Sequence, residues 1–276
     1  MATKDYSAIT ASDGTILRHP DRPQPRYSAW RAFKNFRLLM KDKEDTSLVF
    51  KIFESLPSND FMPRIEKLAL SERGETLRRT EPALPEILDD HAALRQTPKG
   101  SLAHAYCDFM EREGLSAAGL VAEAESLGRP KYPDVVQWFA ERSRDTHDLF
   151  HVLTGYGRDA LGEQCVLLFT HGQSPSHGHL LIGYAGAINM KLQTRGSKAP
   201  VMGAVNQARR MGQGAPVLLE QSIRELLKQP IDSVRSALNI PEPTAYRECH
   251  RVWSSEGIDP YDLLGTDKAP EEALAA

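Results

Sequence analysis

Apolar side chains recur three and four positions apart over most of this chain, and no stretch shows the strict alternation of a half-buried strand. Leu102, Ala105, Tyr106, Phe109 and Met110 make one stripe across 100–113, which Gly114 closes. Trp30, Phe33 and Leu38 fall on one side of 26–41, and 46–56 gives a second short helix stopped by Pro57. From Asn59 to Thr97 come short helical pieces punctuated by Pro63, Gly74, Pro82 and Pro85. Later helices are predicted over 179–192, 200–211, 216–228 and 231–239. Small residues along the first of these (Gly183, Ala185, Gly186, Ala187) allow close helix approach or leave a groove. The pattern predicts an all-α chain, a single predominantly helical domain.

Its centre is 138–163. Val135, Trp138, Phe139, Phe150 and Leu153 predict one helix up to Thr154, ended by Gly155-Tyr156-Gly157. A second helix is expected from about Arg158. His147 and His151 are four apart, hence neighbours on one helix face. At 3.6 residues per turn Asp148 sits roughly 60° round from His151. An antiparallel hairpin turning at Tyr156 would bring Glu163 level with the gap between the histidines. Two imidazoles and two carboxylates then suit one divalent cation, Zn²⁺ or Fe²⁺. The plain alternative for an i,i+4 histidine pair is a surface pair without function. His104 reads as a structural histidine, and His177-Gly178-His179 as a poor ligand pair. An HD-type phosphohydrolase would need His104 and Asp232 as further ligands and would leave Glu163 unexplained.

Composition narrows the classes. The net charge of −3 with 26% charged residues excludes a globally basic nucleic-acid binder. Cys107, Cys165 and Cys249 have no paired spacing, as for free thiols in a reducing compartment. No apolar run reaches the roughly 20 residues of a spanning helix. The start has no secretory h-region, and Asp5 and Asp13 argue against a transit peptide. Residues 1–25 read as a flexible arm, 26–240 as the domain, and 241–276 as an acidic, disordered tail. Between Arg18 and Lys43 eight Lys/Arg stand against Asp21 and Asp42, interleaved with aromatics, as an interfacial helix requires. Nucleotide loops and nucleophile elbows are missing.

The motif H-D-x-x-H-x11-E resembles that of the ubiquinone (coenzyme Q) biosynthesis protein 4 family. Its flanks match as well, with Arg142-Ser-Arg144-Asp145-Thr before it and Val-Leu-Thr154-Gly155 after His151. Gly100-Ser-Leu102-Ala-His-Ala-Tyr106-Cys-Asp-Phe109-Met110 is similar to the family's G-x-L-G-x-A-Y-x-x-F helix, with Ala103 in place of a frequent Gly. The resemblance spans roughly 25–235. It implies a role in ubiquinone biosynthesis on polyprenylated benzoate or quinone lipids. The implied activity is carbon–carbon lyase chemistry, removing the ring carboxylate at C1 coupled to hydroxylation there. Glu163 would be catalytic, and Arg144, one turn before His147, would pair with the departing carboxylate. Further expectations are other ubiquinone-biosynthesis enzymes as partners, a membrane surface, a homo-oligomer, and a place in a bacterial cytoplasm, peripheral on its membrane. The alternative is a non-catalytic lipid-binding scaffold with a structural metal.

Overall fold

The computed structural model describes residues 4–40 and 46–264. They form helices joined by loops, and two isolated β-bridges, Thr10 to Ile16 and Ser101 to Pro230, are the only extended pairings among them. In chain order the α-helices begin with α1 (Ala29–Leu39), α2 (Thr46–Ser55), α3 (Phe61–Ala69), α4 (Glu72–Thr80), α5 (Pro85–Leu88), α6 (His91–Leu94), α7 (Leu102–Glu113) and α8 (Ala117–Ser126). They continue with α9 (Val135–Asp145), α10 (His147–Thr154), α11 (Ala160–Gln173), α12 (His177–Gln193), α13 (Val201–Gly214), α14 (Ile223–Leu227), α15 (Ile231–Ala237) and α16 (Thr244–Glu256). The expected all-α class is the observed one.

The residues gather into two compact units, each built from three separated segments. Unit 1 takes the chain up to Gln24, Ser58–Leu153 and Val217–Leu238. Unit 2 takes Pro25–Pro57, Thr154–Pro216 and the chain from Asn239 on.

In unit 1, Leu17, Ile65, Leu68, Val135, Phe139 and Leu219 share one apolar cluster. Leu17 is wholly buried, so the stretch read as a flexible arm is a strap on α9. The Val135 and Val136 amides donate to the Ile16 and Leu17 carbonyls at 3.0 and 3.2 Å. Asp134, the N-cap of α9, accepts from the His19 amide at 2.8 Å and from Arg22 at 2.7 Å twice. Two buried apolar residues and one carboxylate suffice to hold a segment whose composition is otherwise that of a loop.

Glu81 and Arg142 form a buried ion pair at 2.8 Å in the same unit. Glu81 also accepts from the Ser222 hydroxyl and from the Ile223 and Arg224 amides, at 2.5, 3.2 and 3.0 Å. This breaks the single helix expected over 216–228. The chain makes a 3-10 turn at Leu218–Glu220 and starts α14 afresh, its first amides aimed at the carboxylate.

Unit 2 has its own cluster of Ala32, Leu39, Leu48, Ile52, Leu56 and Ile182. α11 and α13 meet backbone to backbone, because a methyl group on Gly212 would run into the Phe169 carbonyl and one on Gly172 into that of Arg209. The small-residue stripe of α12 is filled rather than open: the Leu168 side chain occupies the space over Gly183, and Gln164 that over Gly186. The expected tail contains α16, whose Trp253 is fully buried, so it is part of the unit up to at least Leu264. A packed aromatic stripe (Tyr246, Trp253) outweighs the acidic composition there. The remainder of that tail, 265–276, and Lys41, Asp42 and Lys43 of the basic stretch lie outside the described residues.

Candidate metal centre

The helix expected from Val135 to Thr154 is divided at Thr146 into α9 and α10. Thr146 donates its hydroxyl to the Arg142 and Ser143 carbonyls at 3.0 and 3.2 Å, a back-bonding pattern that bends helices. α10 therefore opens on His147. Asp148 and His151 are buried and His147 is half-buried.

The Nε2 atoms of His147 and His151 lie 3.3 Å apart, with the rings 80° to each other. Two imidazoles bound at about 2.0–2.1 Å to one tetrahedral ion would have their nitrogens about 3.3–3.4 Å apart. The separation of the pair thus matches that of two ligands on one ion. The same separation is a hydrogen bond if one ring carries its proton on Nε2.

The surroundings are ordered by α7. Ser101 caps it through the His104 amide, and Gly114 ends it in the left-handed region at φ 65°. Phe109 stacks on His151, centroids 5.6 Å apart and 19° between planes. Burial raises the Tyr106 phenol far above its ordinary pKa, and the negative field of Asp148 adds to this. Its buried hydroxyl has no hydrogen-bond partner among the described residues, so it can serve a polar group brought to the site. Asp145 is also buried, which pushes its carboxyl up, and Arg144 Nε at 2.7 Å opposes the rise. Neither Asp145 nor the Phe109 stack was read from the sequence as part of the site. Their signal was the spacing Tyr106-x-x-Phe109 and a second acid two residues before His147.

Glu163 belongs to unit 2, in the first turn of α11. Gly155 takes φ 73° after α10, and Asp159 caps α11 by accepting from the Leu161 and Gly162 amides at 3.0 and 3.2 Å. The Glu163 carboxylate lies 3.9 Å from Arg158 Nε. Arg144, expected beside the histidines, is held by its neighbour Asp145, and its terminal nitrogens make no hydrogen bond among the described residues.

Three further histidines have neighbours of their own. His104 Nε2 faces the Arg95 and Thr97 carbonyls at 3.1 and 3.0 Å. His179 packs on Phe53, and His171 Nδ1 meets the Ser176 carbonyl at 2.9 Å. Asp232 is an exposed partner of Arg235. The phosphohydrolase reading therefore loses the two extra ligands it required.

The chain is thus an all-helical protein that presents a His-Asp-x-x-His face from one short helix. The family described as coenzyme Q (ubiquinone) biosynthesis protein Coq4 matches residues 40–244, and the chain belongs to it. It is 23% identical to the mitochondrial ubiquinone biosynthesis protein coq4 of Penicillium rubens, over 91% of this chain and 88% of that one. It is 25% identical to the Meyerozyma guilliermondii mitochondrial protein of that name, over 89% and 80%. In fold it is similar to the crystal structure of a putative ubiquinone biosynthesis protein from Nostoc punctiforme, with a TM-score of 0.54 and 20% identity. That match covers 78% of this chain and all of the other.

The family acts in ubiquinone biosynthesis. The expected bacterial cytoplasmic location is overturned, because the relatives are named mitochondrial. No helix of the described residues is long and apolar enough to cross a membrane.

Proposed function

We propose that this chain removes the C1 carboxylate from a polyprenylated hydroxybenzoate during ubiquinone biosynthesis, with His147, His151, Asp148 and Glu163 holding one divalent cation. The observation that carries the reading is the 3.3 Å separation of the two imidazole nitrogens in a chain of this family. Glu163 is twelve residues beyond His151 and follows the tight Gly155–Asp159 turn, which supports its joining the pair. A bound cation would supply Lewis-acid polarisation of a ring oxygen.

The chain's own residues do the rest. Arg144 pairs through its terminal nitrogens with the substrate carboxylate, while Asp145 fixes its Nε edge. The Phe109 ring shields one face of His151 from water. Tyr106, kept protonated by burial, donates its hydroxyl to a substrate oxygen. As the C1–carboxylate bond breaks, its electron pair stays on the ring and a proton takes the place of CO₂.

The substrate is reached from a lipid surface. Trp30 is 74% and Phe33 48% exposed on α1, so this aromatic pair does not serve the core. Arg26, Lys34 and Arg37 flank it, a combination suited to anionic lipid.

The test is complementation of cells lacking this protein. Glu163→Ala, folded by circular dichroism, is expected to leave a prenylated intermediate that keeps its C1 carboxylate. Normal ubiquinone with this variant would replace catalysis by scaffolding of the other pathway enzymes.

A further inference from the structure

We propose that His91, Cys107 and Glu111 form a second metal site in unit 1, selective for Zn²⁺ and separate from the pair on α10. His91 opens α6, while Cys107 and Glu111 lie one turn apart on α7 and therefore share a face. Each offers one donor atom, and the three donors lie within 4.8 Å of one another. His91 Nδ1 and Glu111 Oε1 are already 3.2 Å apart. Zn–S and Zn–N bonds of about 2.3 and 2.0–2.1 Å place such donors about 3.5 Å apart, so closing on an ion takes a side-chain adjustment of about 1 Å.

The neighbours hold the set in place. Arg95 binds Glu111 Oε2 at 2.8 Å, which leaves Oε1 turned to His91. Its other arm binds Asp108 at 2.6 Å, so the guanidinium charge is balanced and does not face the donors unopposed. The His91 ring stands edge-on to Tyr106 at 6.3 Å. Cys107 forms the buried floor, and Glu111, half exposed, the rim, so an ion enters from solvent and keeps an open position. A thiolate, an imidazole and one carboxylate make a softer set than the nitrogen and oxygen donors on α10, which selects Zn²⁺ over Mg²⁺ or Ca²⁺. The ion would tie α6 to the helix that carries Tyr106 and Phe109.

Cobalt tests this without ambiguity about which site is filled. The full chain, stripped of metal, is titrated with Co²⁺ and followed in the near ultraviolet, where only a thiolate ligand gives a charge-transfer band. The band is expected in the unaltered chain and in His147→Ala/His151→Ala, absent in Cys107→Ser, and displaced by Zn²⁺. Glu111→Gln, at a solvent-exposed position, folds regardless and should weaken Co²⁺ binding about tenfold or more. No band in the unaltered chain, a band retained in Cys107→Ser through Cys165 or Cys249, its loss in the double histidine variant, or an unchanged affinity in Glu111→Gln would each overturn the site. Failure of the α10 pair to bind metal leaves this band untouched.

Discussion

Phe109 lies almost parallel to the His151 imidazole, 5.6 Å from it, and so joins α7 to the histidine face of α10 inside one unit. Removing that ring should affect stability and site geometry together. Phe109→Ala is expected to destabilise the protein by about 3–5 kcal/mol, read from the shift in urea midpoint. A change below about 1 kcal/mol would mean the ring is not part of the packed core.

Metal content should follow the paired nitrogens. Near-stoichiometric divalent metal is expected by elemental analysis at the α10 site, with that share lost in both His147→Ala and His151→Ala. Full occupancy in both variants would leave the 3.3 Å contact as a plain hydrogen bond.

Arg142 and Glu81 are both almost fully buried, so deleting one charge strands the other. Arg142→Met should cost about 3–5 kcal/mol. Adding Glu81→Gln removes the stranded charge and keeps one acceptor oxygen, enough for the Ser222 hydroxyl and the Arg224 amide, and should recover part of the loss. A denaturant double-mutant cycle measures this; strictly additive costs would disprove the coupling.

Acid should loosen the strap on α9. Burial pushes the Asp134 carboxyl up, but hydrogen bonds from Arg22 and from the His19 and Gln137 amides outweigh it and hold the group below its ordinary value. A depressed carboxyl contributes stability above its unfolded pKa, about 3.9, and loses it as pH falls through the folded value. Urea midpoints taken from pH 5 downward should therefore drop less steeply in Asp134→Asn than in the unaltered chain. Parallel curves would assign the acid sensitivity to other groups.

Binding to anionic vesicles should weaken with salt, since exposed charges are screened within about 10 Å at 0.1 M. Trp30→Ala/Phe33→Ala should reduce it further, by flotation assay. Equal binding to neutral vesicles would remove the electrostatic part.

The sequence made some features plain because they are local. The stripe of α7, its Gly114 end, and the shared face of His147 and His151 all follow from spacing within a few residues. What it hid was set by distant partners. The break before α14 depends on Glu81, 141 residues from Ser222. The strap at Leu17 depends on the backbone of Val135 and Val136. The meeting of His91 with Cys107 and Glu111 crosses two helices and has no periodic signature. Glu163 lies beyond a glycine turn, so that only turn arithmetic relates it to the histidines in the sequence.

The interleaving of the two units governs how the chain matures. Unit 1 is sealed by Leu219, and unit 2 by Tyr246 and Trp253 on α16. A nascent chain extended only as far as the paired histidines thus has neither core complete. Synthesis cannot deliver one finished unit and then the other, as it does for consecutive domains. Both wait for the carboxyl-terminal quarter of the chain, so early termination anywhere ahead of it would yield material for degradation rather than a working half.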